Sequence, residues 1–175
     1  GLSYLNAFYD SVDEEYVMLQ AAIGNSPYKE NLVLPDNINQ PKVWMAGDGD
    51  GNTNATRESL AANIEMFQEA IKARYNGELQ ELGFGGEFTF AQLQASKDPQ
   101  EISIFLGKKL EDPGLSEEDV VKVKSLIRKV SSFGYHFAKI DIRHTAVDLS
   151  KINDTVARLC LDEEGVAQIK RALEE

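Results

Sequence analysis

One stretch of this chain constrains its fold more than any other, because it alternates where the rest steps by three and four. Over Phe133–His144 the hydropathy period is two, so an extended backbone would send successive side chains to opposite faces. One face would carry Phe133, Tyr135 and Phe137, then Lys139, Asp141 and Arg143. The other would carry Gly134, His136, Ala138, Ile140, Ile142 and His144. A strand must find hydrogen-bonding partners. Only Val43-Trp44-Met45 offers a second short apolar run of that kind. One convincing strand among helices is therefore the expectation, together with a chain cut from something larger. The opening at Gly1 and the close at Glu175 inside a helical pattern point the same way.

The remainder reads as about six amphipathic helices. Leu2, Leu5, Phe8, Val12, Tyr16, Leu19 and Ile23 form the first stripe, which Gly24 stops. Pro27, Pro35 and Pro41 punctuate an irregular connection, with Leu32, Val33 and Leu34 as its expected anchor. Thr56 is placed to cap a long second helix whose stripe runs Leu60, Ile64, Phe67, Ile71, Tyr75, Leu79 and Leu82. Gly83, Gly85 and Gly86 end it, and Phe88, Phe90 and Leu93 predict a short element beyond. Asp98-Pro99-Gln100-Glu101 and Ser116-Glu117-Glu118-Asp119 are two further helix starts. Two last helices are expected, on Leu149, Ile152, Val156 and Leu159 and on Val166, Ile169 and Leu173.

Composition narrows the function classes. The 175 residues hold 18 basic and 29 acidic side chains, a net charge of −11. A field of that sign repels nucleic-acid backbones and anionic lipid, so neither is an expected partner. No apolar run is long enough to span a bilayer. The single cysteine, Cys160, cannot form an internal disulfide, which predicts a reducing, cytoplasmic setting.

Gly47-Asp48-Gly49-Asp50-Gly51-Asn52-Thr53-Asn54 is a loop of turn formers. Asp48, Asp50 and Asn52 at alternate positions imitate the start of an EF-hand calcium loop. The imitation fails at the sixth position, which is Thr53 rather than Gly, and at the twelfth, which is Ser59 rather than Glu.

Trp44-Met45-Ala46-Gly47-Asp48-Gly49-Asp50-Gly51-Asn52 resembles the tryptophan-methionine-glycine-glycine-aspartate-arginine-aspartate-glycine-asparagine motif of phosphoenolpyruvate carboxylases. Phe133-Gly134 through Lys139-Ile140-Asp141-Ile142-Arg143 is similar to that family's phenylalanine-glycine and leucine-aspartate-isoleucine-arginine strand, in the same order and at a comparable separation. The resemblance spans 43–62 and 130–143. It implies a mainly α chain that is a helical segment of a (β/α)8-barrel fold, with one to two barrel strands present.

The implied parent is a cytoplasmic homotetramer that joins bicarbonate to phosphoenolpyruvate, giving oxaloacetate and phosphate with Mg2+ or Mn2+. Carried over by motif, Arg143 binds the substrate phosphate, Asp141 orients it and Lys139 stands on the same ionic face. Trp44, Gly47, Asp48, Asp50, Gly51 and Asn52 form the motif loop. The family's histidine motif and its metal-binding carboxylates are absent, so no catalytic or metal residue is assigned and the chain alone is expected to be inactive. His136, on the Ile140 face, reads as a packing histidine.

The match has departures. Ala46 replaces glycine, Gly49 replaces the loop arginine, and Thr53 replaces the following proline. His144-Thr145-Ala146-Val147 replaces a run with more basic residues. Two alternatives therefore stand beside the carboxylase: a non-catalytic relative acting as an acidic helical interaction module, and a calcium-binding domain on the 48–59 loop. In the expected organisation, residues 1–43 are a helix and Pro-rich connection, 44–131 the Gly-Asp loop and helices, 132–144 the barrel-type strand, and 145–175 the last helices.

Overall fold

A computed structural model of the chain describes residues 2–37, 40–43 and 57–140. The described residues are mainly helical. In chain order they form α1 (Leu2–Gly24), β1 (Lys42–Val43), α2 (Arg57–Glu81), α3 (Phe90–Ala95), α4 (Gln100–Leu110), α5 (Glu117–Phe133) and β2 (Lys139–Ile140). The calls on Thr56, on the 44–54 loop and on everything after Ile140 lie outside the described residues.

The chain divides into two compact units. One takes in Gly1–Pro41 and Ala70–Phe137, the other Lys42–Glu69 and Ala138–Glu175, so α2 contributes to both.

The first unit is built on the predicted stripes. Leu5, Tyr9 and Val12 from α1, Ile71, Tyr75 and Leu79 from α2, Ile102 and Leu106 from α4, and Val123, Leu126 and Val130 from α5 are all buried. α5 packs against both α4 and α1. An aromatic cluster joins three elements at the end of α5. Tyr9 stacks on Phe133 at 5.2 Å between centroids, Phe137 meets Phe133 edge-on at 5.5 Å, and Tyr75 lies 6.3 Å from Tyr9. Such pairs contribute roughly 0.5–1.5 kcal/mol each beyond simple area burial.

The helix ends follow their capping chemistry. Ser116 accepts from the Asp119 N–H at the start of α5, and the Asp98 carboxylate accepts from the Gln100 N–H at the start of α4. Thr89 and Gln92 make a reciprocal capping box on α3. α5 ends at Gly134, whose φ of 53° is in the region glycine enters without steric cost. The Tyr75 hydroxyl donates to the Gly134 carbonyl at 2.8 Å, satisfying a group the helix leaves open.

Three expectations are corrected. The strand does not begin at Phe133. That residue is the last of α5, and its carbonyl accepts from the N–H groups of His136 and Phe137 in a turn. Phe133, Tyr135 and Phe137 are all buried, but by this turn rather than by a pleat, with Phe137 at φ 63°. His136 is exposed, so it is not a packing histidine. Leu32 and Val33 do not anchor the Pro-rich connection, since Val33 is 91% exposed and Leu32 47%.

In the second unit, Leu60, Ile64 and Phe67 of α2 are buried. β1 and β2 pair in parallel, with Lys42 opposite Lys139 and Val43 opposite Ile140. The strand predicted to lack a partner therefore has one. A parallel pair requires a crossover, and the chain between the strands carries α2 to α5.

Candidate functional site

Of the site residues that the resemblance names, only Lys139 is described. It is exposed on β2, in register with exposed Lys42 on β1. Registered residues of a parallel pair lie side by side, on strands about 4.8 Å apart. Their side chains therefore leave the small sheet on the same face. From the C-terminal end of β1 the chain enters the Trp44–Asn52 segment, and from the C-terminal end of β2 it enters Asp141-Ile142-Arg143. Arg143, Asp141, Trp44, Gly47, Asp48, Asp50, Gly51 and Asn52 themselves lie outside the described residues.

A second concentration of charge, in the first unit, was missed by sequence reasoning. It begins with the residues that α1 turns toward α2 and α5. Asp13 accepts from Arg128 Nη2 at 2.7 Å and from the Ser125 hydroxyl at 2.5 Å, with Lys129 Nζ at 3.4 Å. Lys129 also bonds Glu78 at 3.0 Å, and Glu78 accepts from the Tyr9 hydroxyl at 2.6 Å. One turn away, Arg74 bonds Asp10 at 2.6 Å and Asn6 at 3.2 Å. Arg128 also lies over the Tyr16 ring, 4.4 Å from its centroid. Beside this network runs a groove of about 640 Å³, walled by Val17, Leu82 and Val121 above Asp13, Glu78 and Arg128.

The electrostatics define what this network can do. Burial alone would raise the Asp13 carboxyl; hydrogen bonds from Ser125 and Arg128, and the charge on Lys129, outweigh it and hold the group below the usual carboxylate range. Burial, then the neighbouring Glu78 charge, pushes the Tyr9 phenol well above its ordinary value. The network is thus a clasp that fixes α1 onto α2 and α5. Its partners lie more than a hundred residues apart along the chain at Asp13 and Arg128, and no local spacing announces them.

Lys72 makes a further buried polar contact. Its ammonium donates to the carbonyls of Gln94 and Ser96 at 3.1 and 2.9 Å, at the C-terminal end of α3, and lies 4.5 Å from the Tyr135 ring centroid. Burial lowers its pKa. It stabilises carbonyls that a helix end leaves open, as a cation at a C-terminus does.

Among the described residues no group of three His, Cys, Asp or Glu side chains could hold a metal ion; the calcium call on Asp48, Asp50 and Asn52 lies outside them. Nor, among the described residues, is any helix long and apolar enough to cross a membrane. Comparison with family models, curated proteins and solved structures finds no match to this chain.

Proposed function

We propose that this chain is part of a phosphoenolpyruvate carboxylase and contributes the arginine that holds the substrate phosphate. The observation that carries the proposal is the parallel register of β1 and β2. Both motif segments leave that small sheet from the same end, the C-terminal one, with helices in the crossover between. In parallel α/β architectures that end is where ligands bind. Two motifs that are 80 to 90 residues apart in a random helical chain have no reason to start from neighbouring, co-directional strands, whereas segments of a (β/α)8 barrel do.

In this reading Arg143 grips the phosphate of phosphoenolpyruvate with two parallel N–H bonds, the geometry its planar fork favours. Asp141, two residues earlier, holds the guanidinium in place. Lys139, with Lys42 beside it, adds positive field where the phosphoryl group gathers charge. In that family a bound Mg2+ or Mn2+ stabilises the enolate, and the ligands for it are supplied from elsewhere in the barrel. A homotetramer in the cytoplasm is part of the same proposal, and the histidine that acts in catalysis would again lie outside these 175 residues.

The test is oxaloacetate formation from phosphoenolpyruvate and bicarbonate, with Mg2+, by the protein that carries this chain. Arg143→Ala should lower kcat/KM by about 100-fold or more, the scale expected for losing one charge-stabilising group. Unchanged kcat/KM in the variant would remove Arg143 from the site. An unmodified protein without any turnover would favour the acidic interaction module instead.

A further inference from the structure

The groove beside the clasp lies wholly within the first unit, between α1, α2 and α5. Its volume of about 640 Å³ is in the range of small-molecule sites. Val17 of α1, Leu82 just past α2 and Val121 of α5 give it apolar walls. Val17 and Val121 are 61% and 64% exposed, so both still face water.

The charges on its lining differ in what they need. Arg74 is paired with Asp10, Lys122 with Glu118, Arg128 with Asp13, and Lys129 with Asp13 and Glu78. Every cation on the lining therefore already has its anion. Glu81 does not have its cation. It lines the same groove, is exposed, and makes no hydrogen bond or ion pair among the described residues. Lys122 feels its charge but gives its ammonium to Glu118 at 2.6 Å. Glu81 is also the last residue of α2, whose last turn contains no basic side chain. The open carbonyls make a helix C-terminus negative, so a carboxylate there is the disfavoured sign and a cation the favoured one.

One turn before Glu81, α2 places Gly77 on the same groove. Glycine weakens a helix interior, because the unfolded chain gains backbone freedom there and the helix has no side chain to pack. A neighbouring helix pressed against it would explain the choice. Yet no group among the described residues lies within 4 Å of where its Cβ would stand. The space above Gly77 is open, and it brings the α2 backbone to the floor of the groove.

We propose that this groove binds a small alkylammonium ligand, whose apolar part lies over Gly77 against Val17, Leu82 and Val121 and whose cationic head pairs with Glu81. Asp13, Arg128 and Lys129 stay locked in the clasp and take no part in recognition. The net charge of −11 draws cations toward the protein and opposes acidic ligands. The site is independent of the carboxylase proposal, which concerns the segments that follow β1 and β2.

Amide chemical-shift titration of the 175-residue chain at pH 7 with n-hexylamine, n-hexanol and hexanoate tests it. Saturable shifts at residues 77–82 and 121–125 are expected with hexylamine, at concentrations up to about 10 mM, and not with the other two. Glu81→Gln should weaken hexylamine binding about fivefold, the scale of an exposed ion pair. Gly77→Leu should abolish it by filling the groove, with no fall in thermal midpoint, since leucine favours helix and its Cβ meets open space. Absence of saturable shifts overturns the proposal, as does hexanol or hexanoate binding as tightly as hexylamine. So does an unchanged affinity in Glu81→Gln, or hexylamine binding that persists in Gly77→Leu. A lowered midpoint in Gly77→Leu also overturns it, because the space above Gly77 would then already be in use.

Discussion

Asp13 joins α1 to three residues of α5, through groups that sequence spacing cannot reveal. Its carboxylate meets Ser125, Arg128 and Lys129, three residues within a turn and a half of α5. Removing it takes from Arg128 the carboxylate it pairs with, while Lys129 keeps Glu78. Asp13→Ala should lower unfolding free energy by about 1.5–3 kcal/mol, the range for hydrogen bonds to a charged group. The pH dependence follows from the direction of its shift. The folded-state pKa is below the unfolded one, so the stabilisation is complete above the ordinary aspartate value of about 3.9 and is lost as pH falls through the folded value. Urea denaturation at pH 7 should therefore separate wild type from Asp13→Ala, and the gap should shrink toward about pH 2. An equal gap at both pH values would mean that the carboxylate charge is not what stabilises the clasp.

At the scale of elements, most of the helices were legible because capping and periodicity agree. The Ser116 cap and the stop after α2 stand where the residues put them, while α4 starts one residue later than expected, with Pro99 rather than Asp98 in the cap position. Ser116→Ala should cost about 1 kcal/mol, the usual loss for an N-cap whose hydroxyl accepts a backbone N–H. A fall in thermal midpoint no larger than that of Ser131→Ala, on the exposed side of the same helix, would show the cap to be dispensable.

The misread element is equally instructive. Phe133 lies three residues after Val130, on the same stripe as Val123 and Leu126, and Gly134 follows as a natural helix stop. Both signals favoured helix, but the alternation of Phe133, Tyr135 and Phe137 with smaller or polar residues imitated a strand. A buried turn produces that same alternation when one of its residues adopts a left-handed backbone, as Phe137 does at φ 63°. Leu19, on the predicted stripe of α1 yet exposed, was misread for a different reason: a periodic stripe states which side is apolar, not how far a neighbour extends along it.

For the whole molecule, the motifs at 44–52 and 139–143 are a reading of the sequence that the described residues reach only at Lys139 and Ile140, and the pairing of the strands that lead into them was not legible. Register between segments this distant is set by how the intervening helices pack, and no local pattern encodes that. The same pairing fixes an order of events. Lys42 meets Lys139 across a loop of roughly a hundred residues, whose closure entropy has to be met before two residues per strand repay any of it. Neighbouring helices such as α4 and α5, joined by a short connection, meet at far lower cost. In pulse-labelled hydrogen exchange during refolding, the amides of α4 and α5 should gain protection first and those of 42–43 and 139–140 later; simultaneous protection would contradict this. The small parallel ladder would then act as a folding checkpoint, formed only in chains whose helical crossover is already complete.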